Sequence, residues 1–488
     1  MKNNKIIISA AIIIAVIIGL TLYSGYRKPN ELSRVNLSQP QLTKLAIIPD
    51  DYYNAMKIKG KNIDNIAFSS DFSKVAFVVA SSTATGNKYS VFVNNEVGLW
   101  YDSVGFNGSN PEFTPDGKLI YFSSKGDDSL LMIDGLEKYK TDKTEAIVDL
   151  IFNQDRQKFA LETLDNNSKS HIVFNGIESR GYDMITNDVI SPDGTSIAYY
   201  GCMNGTYSRG GDGQCNLIVQ DQQGKITEDS GLLGTGILAR SKFMEGFISW
   251  SPDGKELVYK DNGQLVINGE RIWSPAEGAF SASNITFSPD SKSLAYVASS
   301  TGKQYVVVNG EIRGEYDGEY GLYFSPDSKK IAYWAKKGSN WFIVVNGSEY
   351  PVNYSEFSEP TSIIFTPDYS DFAYTFRNKD WSDEYIVHGN RIIGEYFDIS
   401  YPSFVANNKL VFVASDEGYK NQRVVIDGQE RKPHDLIVLF PERNYSDWDY
   451  LSPYYSTQDY HYRLTPDGKG IQYGAVDGQN IYSVTESF

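Results

Sequence analysis

Apolar and polar positions follow one another along most of the chain in short runs of fixed order. Between residues 285 and 334 the order reads ITFSPDSKSLAYVASSTGKQYVVVNGEIRGEYDGEYGLYFSPDSKKIAYW. That is an apolar strand, a Ser-Pro-Asp turn, a second apolar strand, a short loop, a Val-rich strand, an Asn-Gly turn and a polar strand, and then the start again. Short apolar runs bounded by Gly, Pro, Asn and Asp predict strands, and the unit shows no helical period. In Phe287-Ser-Pro-Asp290-Ser-Lys the proline pre-sets φ for a turn, and the Asp side chain accepts backbone N–H groups within it. In Val307-Val308-Asn309-Gly310-Glu311 the Asn-Gly pair accepts φ > 0 at two successive positions, which a two-residue type I′ hairpin requires. One unit is therefore two linked hairpins, with strands a, b, c and d.

The Ser/Thr-Pro-Asp turn occurs seven times, at Asp116, Asp193, Asp253, Asp290, Asp327, Asp368 and Asp467. Weaker copies fill the gaps: FSSDFSKVAF around Asp71, FNQDRQKFAL around Asp155 and FVANNKLVFV around Asn407. Ten copies result, mostly 37 to 45 residues apart, and two gaps near 60, before Asp253 and Asp467, mark insertions. The second turn recurs in step at Asn94-Asn95, Asp134-Gly135, Asn175-Gly176, Asn268-Gly269, Asn309-Gly310, Asn346-Gly347, His388-Gly389 and Asp427-Gly428, with Gln222-Gln223-Gly224 in one remaining unit. Self-similarity at a period of about 40 residues is the mark of a repeat architecture.

The phrase Phe-Ser-Pro-Asp-Gly-Lys-x-Ile-Ala-Tyr, followed by an apolar strand, resembles the WD40-like (PD40-type) repeat of TolB-like β-propellers. The likeness runs from about residue 45 to 488. It implies an all-β fold of four-stranded antiparallel blades, 8–10 in number, with the strand before Pro-Asp innermost. It makes Asp116, Asp193, Asp253, Asp290, Asp327, Asp368 and Asp467 structural turn residues. Asp155 lacks the Pro and Asn407 replaces the Asp, which weakens those two turns. The last copy supplies strands a, b and c only, so LAIIPDDYYNAMKIKG, residues 45–60, is expected to add the missing outer strand. Closure of this kind leaves few sheet edges unprotected. Ten blades exceed the usual four to eight, so two rings divided near 225–247 stand as an alternative to one wide ring.

The N-terminus changes the picture. Ile6 to Tyr23 is an 18-residue apolar run, IIISAAIIIAVIIGLTLY, preceded by Lys2 and Lys5 and followed by Arg27 and Lys28. That is long for a signal-peptide core, and Leu22, Tyr23 and Tyr26 crowd the expected cleavage site. The expected organisation is a short cytoplasmic N-terminus (1–5), one transmembrane signal anchor (6–23), a linker (24–44) and the propeller (45–488), with insertions at about 202–215 and 434–463. This makes a single-pass protein of the cell membrane with its body extracytoplasmic. Cys202 and Cys215 bracket a Gly-rich stretch between strands b and c, at the mouth of a hairpin, and predict a disulfide in an oxidising compartment. The formal charge of −16 argues against a nucleic-acid partner.

Candidate chemistry is sparse. No Gly-x-Ser-x-Gly elbow is present, and Gly205-Thr-Tyr-Ser208-Arg-Gly210 has the wrong spacing. The four histidines, His171, His388, His434 and His461, form no His-Glu-x-x-His pattern, and His388 fills a turn slot. The pairs Tyr101-Asp102, Tyr182-Asp183 and Tyr316-Asp317 recur at one repeat position, as packing residues do. No metal or cofactor is expected. The insertion HDLIVLFPERNYSDWDYLSPYYSTQDYHYRLTPD holds the best binding candidates, Trp448, Tyr450, Tyr454 and Tyr455, since exposed Tyr and Trp suit a protein hot spot or a sugar face. The alternative is that this loop packs over the ring and buries its rings. The expectation is a non-catalytic protein-interaction scaffold of the cell envelope, with envelope protein partners. A glycan- or cell-wall-binding module is the alternative, and a propeller hydrolase with paired carboxylates comes third.

Overall fold

The computed structural model describes residues 39–488 apart from 51–65, 84–85, 106–110, 142–144, 154–156, 204–213, 230–246, 262–263, 273–280, 301, 353, 355–356, 367–369, 390, 406–407 and 439–461. The described residues form ten antiparallel sheets, one for each sequence copy, and together they make one ring. Blade 6 shows the pattern: strands Ser281–Phe287, Leu294–Ser300, Lys303–Val308 and Glu311–Tyr316, paired a to b to c to d. Blade 1 runs from Ala67 to Val97, blade 2 from Ser103 to Lys140, blade 3 from Glu145 to Glu178, blade 4 from Met184 to Asp229 and blade 5 from Ile248 to Ile272. Blade 7 runs from Gly318 to Val352, blade 8 from Phe357 to Tyr396 and blade 9 from Asp398 to Glu430. The a strands of neighbouring blades lie against one another, which puts them innermost.

The apolar faces explain the ring. Both faces of a blade are covered by its neighbours, so b and c strands are apolar runs such as Leu294–Ser300 (buried through its first five residues) rather than alternating ones. The buried side chains form ten clusters, one between each successive pair of blades. Between blades 7 and 8, for example, Trp334 stands edge-on to Tyr374 with Phe376 beside them. No interface is missing, including the one between blades 4 and 5, where two rings would have divided.

Closure is by both ends of the chain. Blade 10 has strands b and c at Gly470–Asp477 and Asn480–Ser487, and its outer strand is Gln41–Ile47, paired antiparallel from Gln41–Thr485 to Ile47–Asn480. The outer strand thus begins at Gln41, inside the stretch expected as linker, and ends at Ile47. Residues 51–60 of the expected closing segment lie outside the described residues, as does the apolar run 6–23. Among the described residues no helix is long and apolar enough to cross a membrane. Ala46 and Ile48 from this strand pack with Phe68, Val75, Val476 and Ile481 across the seam. Gly474 is required there, because a Cβ would lie 2.5 Å from the Phe68 ring.

The two turn types carry definite hydrogen bonds. In the a–b turns Asp193, Asp253, Asp290, Asp327 and Asp467 each accept the hydroxyl of the Ser or Thr two residues before, at 2.6–2.7 Å, and the backbone N–H two residues after. Asp116 accepts from Thr114 and pairs with Lys118. Donors hold these carboxyls low: the Ser288 hydroxyl and then the Lys292 N–H keep Asp290 at about 2. Asp368 lies outside the described residues. Turns also join across blades. The N–H of Asp253 donates to Ser291 Oγ and that of Asp290 to Ser328 Oγ, at 2.9 and 3.0 Å. Ser291 and Ser328 adopt φ 62, a slot filled by Gly in other copies, and their hydroxyls use it to bridge.

The c–d turns reach back to the same end of the sheet. Asn309 has φ 50 and Gly310 φ 79, as a type I′ turn needs. Asn309 Oδ1 accepts the N–H of Leu294, the first residue of strand b, at 2.9 Å. Asn94, Asp134, Asn268, Asn346 and Asp427 do the same for Val75, Leu119, Leu257, Ile331 and Leu410. Blade 8 departs from the expected turn. His388 ends strand c and pairs with Arg391, so it belongs to the strand and the turn begins at Gly389, one residue on from the expected His388-Gly389 pair. Asp371 there caps the N–H of Phe372 at 2.8 Å, and His388 Nε2 lies 3.1 Å from its other oxygen.

Asn309→Gly keeps a backbone suited to φ > 0 and removes the acceptor for Leu294 together with the exposed Nδ2 bond to Ser293 Oγ. It should lower the unfolding free energy by about 1 kcal/mol, read by chemical denaturation. A change within experimental error would mean that the side-chain cap contributes nothing.

Candidate functional site

In eight of the blades the ladder of the inner strand with strand b is broken, and the length of the break differs from blade to blade. In blade 6 Ser283 pairs with Val297 and Thr286 with Ala295, so Asn284 and Ile285 stand opposite Tyr296 alone. In blade 4 Asn187 and Asp188 stand opposite Tyr199, and in blade 9 residues 401–402 stand opposite Phe412. Blades 3, 7 and 8 bulge by one residue at the same height, at Val148, Gly321 and Thr361. Asn187, Asn284 and Gly321 take positive φ of 55, 48 and 62, which local bulge geometry demands.

In two blades the break is lengthened. Blade 10 pairs Val438 with Gly474 and Arg463 with Gln472, and 24 residues of sequence separate those two pairs on the inner-strand side where one, Tyr473, separates them on strand b. Blade 2 pairs Val104 with Ser123 and Glu112 with Ile120, with residues 105–111 between them. The insertion expected at 434–463 is therefore shorter than expected, because Leu436–Val438 and Arg463–Leu464 are two halves of the inner strand. Trp448, Tyr450, Tyr454 and Tyr455 lie outside the described residues. Tyr462, at the end of the insertion, is buried against Tyr473 between blades 9 and 10.

Carboxylates gather at the breaks of blades 3 and 4. Asp149 and Glu162 are cross-strand partners, and Asp188 sits in the next blade's break. Burial pushes the Glu162 carboxyl up to about 7; a Ser170 hydrogen bond opposes this, and Asp188 and Asp149 add to it. Burial, and then the charge of Asp149, pushes Asp188 up to about 6. Such groups hold protons near neutrality. Nothing in the sequence marks them out from 61 acidic residues. Among the described residues no group of three or more His, Cys, Asp or Glu side chains is arranged to hold a metal ion.

The other sequence candidates are occupied in holding blades together. Asp102 accepts the N–H of Gly126 at 2.7 Å and pairs with Lys88, so it joins blade 1 to the b–c turn of blade 2. Asp317 does the same between blades 6 and 7, with Gly338 N–H at 2.6 Å and Lys303 Nζ at 2.9 Å. Asp183 pairs with Lys169, and Tyr101, Tyr182 and Tyr316 are buried beside these carboxylates. Asp435, which follows His434, accepts from Gly478 at 2.7 Å in the same way. His171, His388 and His434 lie on different blades, each against carboxylates, and His461 lies outside the described residues. Cys202 and Cys215 face each other across strands b and c of blade 4 and are disulfide-bonded. Both are buried between blades 4 and 5; the insertion proper is 204–213, with the cysteines inside the strands that flank it.

No family model matches the chain, and no curated protein matches it. Solved structures similar to it include a eukaryotic initiation factor, 10% identical with a TM-score of 0.41 over 82% of this chain and 89% of that one. They also include TolB from Acinetobacter baumannii, at 16% identity and TM-score 0.24 over 62% and 67%, and an oligogalacturonate lyase in complex with manganese, at 14% and 0.31 over 70% and 96%. Likeness of this degree is a likeness of fold and says nothing of activity. The ten blades agree with the TolB-like, PD40-type reading of the repeat.

Two outcomes test this geometry. Glu162 keeps its proton to higher pH folded than unfolded, so its contribution to stability is lost as pH rises from the ordinary carboxyl range through about 7. The melting-temperature advantage of Glu162→Gln over the parent should therefore be small at low pH and grow toward alkaline pH; an offset constant with pH would contradict the raised carboxyl. Thiol labelling of the non-reduced chain should find no free cysteine. Reduction should then cost about 3 kcal/mol of stability for a loop of this size, and labelling of both cysteines would contradict the bridge.

Proposed function

We propose that this chain is a membrane-anchored, extracytoplasmic β-propeller that serves as a non-catalytic protein-interaction scaffold of the cell envelope. The reading is carried by one observation. Between Val438 and Arg463, on the two halves of the blade 10 inner strand, the sequence runs through 24 residues, six of them Tyr and one Trp, where blade 6 has two residues at its break. Binding loops are set on rigid scaffolds because the frame holds their ends while their sequence varies. Here the ends are fixed by the ladder at Val438 and Arg463. Trp448, Tyr450, Tyr454 and Tyr455 are the proposed contact residues, because large rigid rings bury much area at small entropic cost. The apolar run Ile6 to Tyr23 supports the anchor, and a buried disulfide supports an oxidising, exported location. The tie-making roles of the Tyr-Asp pairs favour a scaffold over a catalyst.

The test is affinity co-purification of the full-length chain from its own membranes, beside a variant in which residues 439–462 are replaced by Asn-Ile. That replacement restores the break of blade 6 and leaves both halves of the inner strand in place. A protein partner retained in stoichiometric amount by the full chain and lost by the variant is the expected result. Identical partners for both chains would overturn the assignment to this loop, and wall polysaccharide without a protein would favour the glycan reading.

A further inference from the structure

The outer rim of the ring exposes large apolar side chains unevenly. Most outer strands that expose any expose one, as with Leu136 in blade 2 and Ile312 in blade 6. The outer edges of blades 10 and 1 expose five: Leu42 and Ile47 on the outer strand of blade 10, Val97 on that of blade 1, and Leu99 and Trp100 in the segment that follows it. Leu99 is the most exposed of all, at 66%. Asn95, in the turn that leads into the blade 1 strand, ties the two edges together: its Oδ1 accepts the N–H of Ile47 at 3.0 Å and its Nδ2 donates to Leu45 O at 3.1 Å. Beyond Trp100 the strand is fixed by the paired backbone groups of Tyr101 and Tyr89, at 2.8 and 2.9 Å. Concentrated exposed apolar surface of this kind marks a contact site.

We infer that this seam is the face on which the propeller rests against the lipid bilayer, an inference that depends on the membrane-anchored reading above. The chain that enters the seam says what covers it. Leu42 follows the apolar run Ile6 to Tyr23 by the residues 24–41 alone. Even fully extended, a linker of that length reaches about 60 Å, and as a flexible coil roughly 20–25 Å. Of all ten blades, the one carrying this strand is therefore held nearest the membrane, and the apolar rim is found on that blade and its neighbour. Trp100, 44% exposed, is of a residue type that settles at the headgroup boundary. Leu99, Val97 and Ile47 supply aliphatic surface for shallow insertion, and the exposed Lys44 on the same strand suits lipid phosphates.

The test uses the full-length chain reconstituted in vesicles of phosphatidylcholine and phosphatidylglycerol. Leu99→Cys and Ile47→Cys carry an environment-sensitive fluorophore; the disulfide-bonded native cysteines do not react. Tyr419→Cys, exposed on blade 9, is the control. Nitroxide-bearing lipid should quench the labels at 99 and 47 several-fold more than the label at 419, and aqueous iodide should quench them less. Vesicle flotation of the same samples reads the anchor separately. If the chain floats but the labels at 99 and 47 behave as the control does, the seam inference falls and the anchor stands. If they are shielded from both quenchers, a protein covers the seam, and the inference falls likewise. If the chain does not float, both readings fall.

Discussion

A single side-chain oxygen on the c–d turn, accepting an N–H at the start of strand b in six of the blades, is what the ring rests on. In blade 6 it is Asn309 Oδ1 on Leu294. The bond joins two hairpins that would otherwise be marginal alone and fixes the register between them. Register matters more here than in a sheet with one wet face. A slip of one residue exchanges the two faces, and both faces of every blade must fit a neighbour. With register set, side chains such as Trp334 and Tyr374 meet across the blade interface, and ten such meetings close a circle.

The inner strand answers to a different constraint. Its free edge turns toward the axis, and its ladder with strand b is already broken in the middle. Lengthening the chain at a break sacrifices no ladder hydrogen bond, whereas an insertion elsewhere in the strand would remove several. That is why blades 2 and 10 carry extra residues at this height, and why Asp188 and Asn187 are turned out of strand alternation in blade 4. Variation and framework are separated by position along one strand.

The blade period, both turn types and the single Cys pair were legible in the sequence because each depends on local chemistry. Proline fixes φ, Asn and Gly accept φ > 0, and two cysteines face each other across a hairpin. The inner break was not legible. Asn284 and Gly321 announce it only once their pairing is known, and Val148 carries no signal at all. The blade 8 turn was misread by one residue because His388 fits a polar turn pattern, whereas Gly389 is the residue with φ 56. The raised carboxyls of Glu162 and Asp188 arise from neighbours on other strands, which adjacent sequence does not show. The outer strand was placed a few residues late because Leu42 and Ile47, exposed on the rim, blur its apolar pattern.

Closing the circle with both ends of the chain orders events during synthesis. Ile48 and Gln479 meet across 431 residues of sequence, and closing a loop of that length costs on the order of 5 kcal/mol in chain entropy. The strand Gln41–Ile47 waits without its partner until Asn480–Ser487 has been made, while blades 1 to 9 can assemble on one another in order. A nascent or truncated chain is an open arc with two bare edges, a form prone to pairing with its own kind. Arrival of the strand Asn480–Ser487 beside Gln41–Ile47 is the event that converts the arc into a circle.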